Sequence, residues 1–248
     1  MNQKFKSLLH EIILRILLLG AIKYLSYQPT PDYNTIQPEE WYRYKRTEKE
    51  PIVDEKYFIA GGCLISTAVL IISYSLHKDK REMVHSILAI SMGICLTALV
   101  THLMKVFVAK PRPSFFMCCY PDGQMQSECT GDPKLVDAGR KSFPSGHTSF
   151  AFSIMVFLFL YLSAKLNLFN DQGKGESWRT CICLSPIILA VMIGVCRTTK
   201  NQHHPEDVLA GGIIGSVISY ICYRQHFPSV YDPNPGKPYE FADDPFAS

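Results

Sequence analysis

The chain has 248 residues, a formal net charge of +3 and 47% hydrophobic residues, with nine cysteines among them. So small a charge, without a dense basic run, excludes a nucleic-acid binder of the ordinary electrostatic kind. The cysteines are scattered without the paired spacing of a zinc module, so a small metal-stapled domain is excluded as well.

The apolar residues fall into six blocks: Leu8–Leu25, Tyr57–Leu76, Val84–Val108, Thr148–Leu166, Thr180–Cys196 and Val208–Tyr223. Each is about 16 to 25 residues long, the length that crosses a bilayer as a helix. The pattern predicts an all-α polytopic membrane protein, a six-transmembrane-helix bundle. Glu11, Arg15 and Lys23 interrupt the first block. Charges inside the run, and no small-residue cleavage site after it, favour a retained span over a signal peptide.

The loop Ser26–Lys56 contains QPEEWYRYKR, and its Trp41, Tyr42 and Tyr44 are expected at the membrane interface. A short basic turn, His77–Glu82, joins spans two and three. The longest loop, Ala109–Gly146, holds Cys118, Cys119 and Cys129, and in an oxidising lumen Cys129 would pair with one of the other two. Residues 1–223 are expected to form one domain, and 224–248 a flexible polar tail.

Three stretches carry the chemistry: KVFVAKPRP at Lys105–Pro113, FPSGH at Phe143–His147, and RTTKNQHHPED at Arg197–Asp207. They occupy ends of odd spans and starts of even ones, so all three emerge on one face of the membrane. Lys105, Arg112 and Arg197 offer three positive charges, two of them guanidiniums whose planar fork matches phosphate oxygens. The Ser145–Gly146 turn runs into the fourth span, where free N–H groups favour an anion. His203 and Asp207 are four apart, so the carboxylate is placed to fix the imidazole's tautomer and leave its other nitrogen nucleophilic. His147 is the candidate acid, then base. Together these residues can cut a phosphate ester without a metal, because cations do the charge neutralisation that Mg²⁺ performs elsewhere. Each motif alone is weak: membrane-edge cations snorkel, PSGH is an ordinary turn and cap, and HHxxD fits a plain helix start. Their order on one face is what selects the functional reading.

Other phosphatase chemistries find no support. There is no DxDx[TV] motif, and no cysteine has an arginine six positions on. His10, His77, His85, His102 and His226 read as structural, and His204 is evenly balanced between scaffold and substrate contact.

With its KxxxxxxRP, PSGH and RxxxxxHxxxD, the chain resembles the type 2 phosphatidate phosphatase superfamily. Cys196 stands where that family often has serine before the arginine. The segments QPEEWYRY, YPDGQMQSECTGDPKLVDAGRKSFPSGHTSFAF and YICYRQHFP extend the likeness from Gln37 to Pro228, toward the eukaryotic enzymes related to diacylglycerol pyrophosphate phosphatase. The resemblance implies a six-span bundle, Mg²⁺-independent activity with no cofactor, and a site facing the lumen or exterior. It assigns Lys105, Arg112, Ser145, Gly146 and Arg197 to phosphate binding, His203 as nucleophile, His147 as acid and Asp207 as partner of His203. The implied substrates are diacylglycerol pyrophosphate, phosphatidate and lysophosphatidate. Polyprenyl or sphingoid phosphates, halide oxidation with vanadate, and a silent lipid-binding scaffold are the competing readings. Raw charge counting does not orient the chain, with about ten cations on one side and about thirteen on the other, but the short Lys78–Arg81 turn favours a cytosolic position for itself. An endoplasmic reticulum, other endomembrane or plasma membrane location fits equally, and a homo-oligomer is left open.

Overall fold

The computed structural model describes residues 3–31, 36–49, 55–126 and 128–239, and among these the chain is helical with no strand. The long helices are α1 (Gln3–Ser26), α2 (Glu55–His77), α3 (Lys80–Val108), α6 (Gly146–Lys165), α7 (Ser177–Thr199) and α8 (Pro205–His226). Two short ones, α4 (Phe115–Cys119) and α5 (Pro133–Gly139), lie in the loop between α3 and α6. Five helices among the described residues are long and apolar enough to cross a membrane: α2 from Ala60, α3, α6, α7 and α8. The chain is an integral membrane protein.

The first expected span folds as a helix of full length, but its charges set it apart from the five. Arg15 donates to Glu11 Oε2 at 2.6 Å, to Ser91 Oγ at 2.9 Å and to the Leu88 carbonyl at 2.7 Å. The cation is thus turned onto α3, while Glu11 of its own helix neutralises it. Ile12, Ile13, Leu14, Ile16, Leu17 and Leu19 remain exposed.

Helix α6 is apolar all round, which suits a helix surrounded by others. It packs against α8, α7, α3 and α2. Its contact with α8 depends on two glycines one helical turn apart. A Cβ at Gly211 would lie 2.6 Å from the Ser145 carbonyl oxygen, and one at Gly215 would fall inside contact distance of the Ser149 carbonyl. Small residues four apart let helix backbones touch, which matters where lipid offers no hydrophobic drive for association. Gly215→Ala should therefore destabilise the bundle by about 1–3 kcal/mol through overpacking, measured as a lower melting temperature in detergent. An unchanged melt would mean that the helices slide freely past one another. Between α3 and α6, hydroxyls pair instead: Thr101 with Ser149 at 3.0 Å and Thr97 with Ser153 at 3.3 Å.

At the other end, Phe157, Tyr161, Tyr223 and Phe227 stack in an aromatic core with Leu70 and Ala89. Glu82 lies beside it, accepting from the Tyr161 hydroxyl, from Lys165 Nζ at 2.6 Å and from Ser73 Oγ at 3.1 Å.

Two expectations change here. The stretch after Tyr223 is packed rather than flexible as far as Tyr239: α8 continues to His226, Phe227 and Val230 are buried, and Tyr239 N–H donates to the His226 carbonyl. The apolar residues interspersed among its prolines find the aromatic core. Residues 240–248 lie outside the described residues. Trp41, expected as an interfacial side chain, is instead buried within the protein against Phe115, Phe116 and Tyr120. The Cys119–Cys129 disulfide closes the same cluster, which leaves Cys118 as a free thiol.

Candidate active site

Backbone hydrogen bonds fasten the three motifs to one another. Ala109, with φ 47° in the left-handed region, turns the chain out of α3 one turn after Lys105. The next residues run beside the approach to α6, with Arg112 N–H donating to the Gly139 carbonyl at 2.8 Å and Ser142 N–H to the Lys110 carbonyl at 3.0 Å. After a cis Phe143–Pro144 peptide, Ser145 caps the start of α6, and its N–H donates to the Asp207 carbonyl at 2.9 Å. His203 N–H reaches back to the Arg197 carbonyl at 3.4 Å.

These links create a cavity of about 380 Å³ whose wall includes Lys105, Arg112, Gly146, His147 and His203. Thr97, Thr101 and Phe150 continue it down between α3 and α6, so the charged end opens into a less polar groove. Ser145, Arg197 and Asp207 lie behind the wall, 0%, 3% and 0% exposed. The positive charge available to an anion there is that of Lys105, Arg112 and Arg197. Burial first, and the Arg197 charge second, hold the Arg112 guanidinium below its ordinary pKa. Its Nε is buried without a hydrogen-bond partner, so an incoming anion would relieve both penalties. A Cβ at Gly146 would make only ordinary contact with Lys105 Cε at 3.7 Å. The protein atoms alone do not require glycine there, whereas close approach of an anion to the α6 N–H groups would.

His203 Nδ1 lies 3.8 Å from Asp207 Oδ2, too far for a hydrogen bond, and it has no other partner. Asp207 is instead saturated by other donors. Lys110 Nζ reaches Oδ1 at 2.7 Å, while Ser142 Oγ at 2.6 Å and His204 N–H at 3.0 Å reach Oδ2. Burial, helped by Arg112, Lys105 and Arg197, pushes His203 down to about 4 against the opposing pull of Asp207. The imidazole is therefore neutral, with a lone pair to offer, from pH 5 upward. Below pH 4 it takes a proton and loses that lone pair. Nitrogen NMR of labelled His203 should find the ring still neutral at pH 5.5, where an ordinary histidine of pKa about 6.5 is mostly protonated. A protonated ring at that pH would refute the desolvated setting.

Several residues of this site went unnoticed in the sequence. Lys110 and Ser142 flank motif residues but hold Asp207, a role that no spacing rule reveals. Burial lowers the Lys110 pKa, but the hydrogen bonds it donates to Asp207 and Glu206 keep it above its ordinary value. His102, read as structural, lines the cavity one turn before Lys105, with Nδ1 bonded to the Ala98 carbonyl at 2.8 Å. His204 bonds Pro111 O through Nε2 at 3.3 Å and meets the Tyr44 ring edge-on, so it acts as a brace between loops. Above the site, residues 44–49 form a strap. Arg46 N–H donates to the Pro113 carbonyl, Phe116 N–H to the Tyr44 carbonyl and Lys49 N–H to the Lys200 carbonyl, at 3.0–3.2 Å. The strap thus spans the loops carrying Arg112 and His203.

The fold is thus that of an integral membrane protein whose helical bundle carries, around one cavity, a cluster of cations and two histidines. The PAP2 superfamily pattern matches residues 86–231, and the chain belongs to that superfamily. It is 38% identical over 181 residues to lipid phosphate phosphatase 2 of Arabidopsis thaliana, an alignment covering 70% of this chain and 62% of that protein. With probable diacylglycerol pyrophosphate phosphatase 1 of Schizosaccharomyces pombe it shares 30% over 176 residues, 67% of this chain and 62% of the relative. With diacylglycerol pyrophosphate phosphatase 1 of Saccharomyces cerevisiae it shares 28% over 209 residues, 79% and 70% of the two chains. The chain thus spans less than two thirds of the length of the Arabidopsis relative. No solved structure matches it.

Proposed function

We propose that this protein is a metal-independent lipid phosphate phosphatase that hydrolyses diacylglycerol pyrophosphate, phosphatidate and lysophosphatidate through a phosphohistidine. The observation that carries the reading is the single cavity walled by Lys105, Arg112, Gly146, His147 and His203, with Arg197 and Asp207 behind it. The cations hold the phosphate oxygens while His203 Nε2 attacks phosphorus. The bond to the leaving oxygen breaks as His147 protonates it. His147 then takes a proton from water, which attacks phosphorus, displaces His203 and yields inorganic phosphate. Lys110 and Ser142 keep Asp207 ionised and in place beside the ring. The less polar groove between α3 and α6 suits a lipid whose headgroup alone is charged.

On this reading α1 is a sixth span, since Arg15 is neutralised within the bundle and an unbroken apolar band faces outward. A single domain then runs to Tyr239, and the site faces the lumen or exterior of an endomembrane or the plasma membrane. The disulfide beside the site suits such a compartment.

The test is phosphate release from diacylglycerol pyrophosphate and phosphatidate in mixed micelles containing excess EDTA. Release should survive the chelator and be inhibited by vanadate, which imitates five-coordinate phosphorus. Activity restored only by added Mg²⁺ would overturn the mechanism. Release from polyprenyl or sphingoid phosphates alone would move the substrate class, and no release from any would favour a silent scaffold.

A further inference from the structure

Lys105 and Arg112 each face two spaces. Beside the cavity already described, a second one of about 200 Å³ shares His102, Lys105 and Arg112 with it. Leu25 and Ser26 at the end of α1, Val106 of α3, Ala138 of α5 and Lys141 just after it complete its lining. The first cavity continues into apolar helix faces. The second lies among the end of α1, α3 and α5, with Leu25, Val106 and Ala138 beside its polar groups, and it brings a third cation, Lys141.

The wiring ties the two spaces together. Lys105 Nζ donates to the Lys141 carbonyl at 2.6 Å, so its ammonium already reaches the second space. Lys141 Nζ spends two of its three protons, on Asp137 Oδ2 at 2.7 Å and on the Gln28 carbonyl at 2.9 Å. One proton remains for another acceptor. Among the described residues, Asp137 is the carboxylate hydrogen-bonded to Lys141, and Thr30 N–H and Oγ1 hold its other oxygen at 2.7 and 2.8 Å. Lys105, Arg112 and Lys141 against Asp137 leave a positive surplus in a space large enough for one phosphate with some of its water, a water taking about 30 Å³ of liquid.

We propose that this second cavity is a phosphoryl-binding subsite that shares Lys105 and Arg112 with the reaction site. The inference rests on the reading of those two residues as phosphate ligands. Free phosphate held there draws both cations away from the reacting phosphate and so inhibits turnover, whereas the second phosphate of a bound diphosphate headgroup adds binding to the same substrate. The same chemistry has two sources, inorganic phosphate released by the reaction and the non-reacting phosphate of a diphosphate headgroup. Like-charge repulsion between two dianions makes the second site weaker than the first, by roughly ten- to a hundredfold.

The experiment is equilibrium binding of radiolabelled inorganic phosphate to the full chain in nanodiscs, with Ala138→Trp and Ser26→Phe as two separate ways of filling the subsite. Wild type should bind two phosphates, and each variant should lose the weaker one while keeping the tighter. One phosphate per chain, or a weaker site untouched by both variants, would overturn the proposal. Because binding needs no turnover, this readout stands even if the protein proves not to be a phosphatase, and the two failures stay distinct. Kinetics then separate the sources. Several-fold relief of phosphate inhibition in Ala138→Trp identifies free phosphate as the occupant. A tenfold selective loss of kcat/KM for diphosphate over monophosphate lipid identifies the headgroup.

Discussion

His203→Ala should abolish phosphate release and, with it, any acid-labile phosphoenzyme. His203 is 3% exposed, lines the cavity beside Lys105 and Arg112, and stays neutral to about pH 4, which is the state a nucleophile requires. Removing it deletes the atom that forms the covalent bond, so no residual route through the intermediate remains, and the expected loss is on the order of 10⁴-fold or more. The side chain makes no hydrogen bond that the fold depends on, since Nδ1 has no partner. The variant should therefore fold like the parent but bind vanadate more weakly, because the five-coordinate species loses its apical ring nitrogen. Rapid acid quenching with labelled substrate is the measurement. Normal turnover, or a phosphoenzyme still formed in the variant, would remove His203 from the mechanism.

Asp207→Asn should cut the rate on the order of a hundredfold or more while leaving lipid binding nearly intact. The carboxylate is fully buried and accepts from three donors, Lys110, Ser142 and the His204 N–H. An amide keeps the shape but puts an N–H₂ where a donor already stands, and it removes the negative charge beside the imidazole. The geometry adds a second consequence. Because Asp207 also anchors the start of α8, the variant should lose about 1–3 kcal/mol of stability from unsatisfied buried donors. Ser142→Ala separates the two roles: it removes one donor to Oδ2 without touching the charge. If orientation of His203 depends on the Asp207 charge alone, Ser142→Ala should keep most activity. An unchanged rate in Asp207→Asn would reduce Asp207 to a helix cap.

Much of the proposed site was legible because a phosphate reading looks for particular residue types at helix ends, and parity along the chain places such ends together. Lys105, Arg112, Gly146, His147 and His203 needed no more than that to be brought to one cavity. The expected hydrogen bond from His203 to Asp207 was not found, because residue spacing says nothing of competing donors. Lys110 and Ser142 are distant from Asp207 in the chain and reach it only through folding. His102 escaped for a related reason: a histidine on an apolar helix looks structural until its neighbours across the groove are known. Trp41 and the residues after Tyr223 were misplaced because composition reports polarity, while burial depends on which aromatic cluster a segment meets.

What the sequence determined by itself was the membrane scaffold, the face on which the motifs emerge and the residue types available to a phosphate. Long apolar runs, charge placement and helix periodicity are local properties, and local properties are written in order along the chain. Only the tertiary structure decided who holds Asp207, that His203 is desolvated, that the strap over residues 44–49 ties two loops, and that Lys105 and Arg112 line two cavities. Each of these depends on contacts between residues far apart in the chain, which no local pattern records.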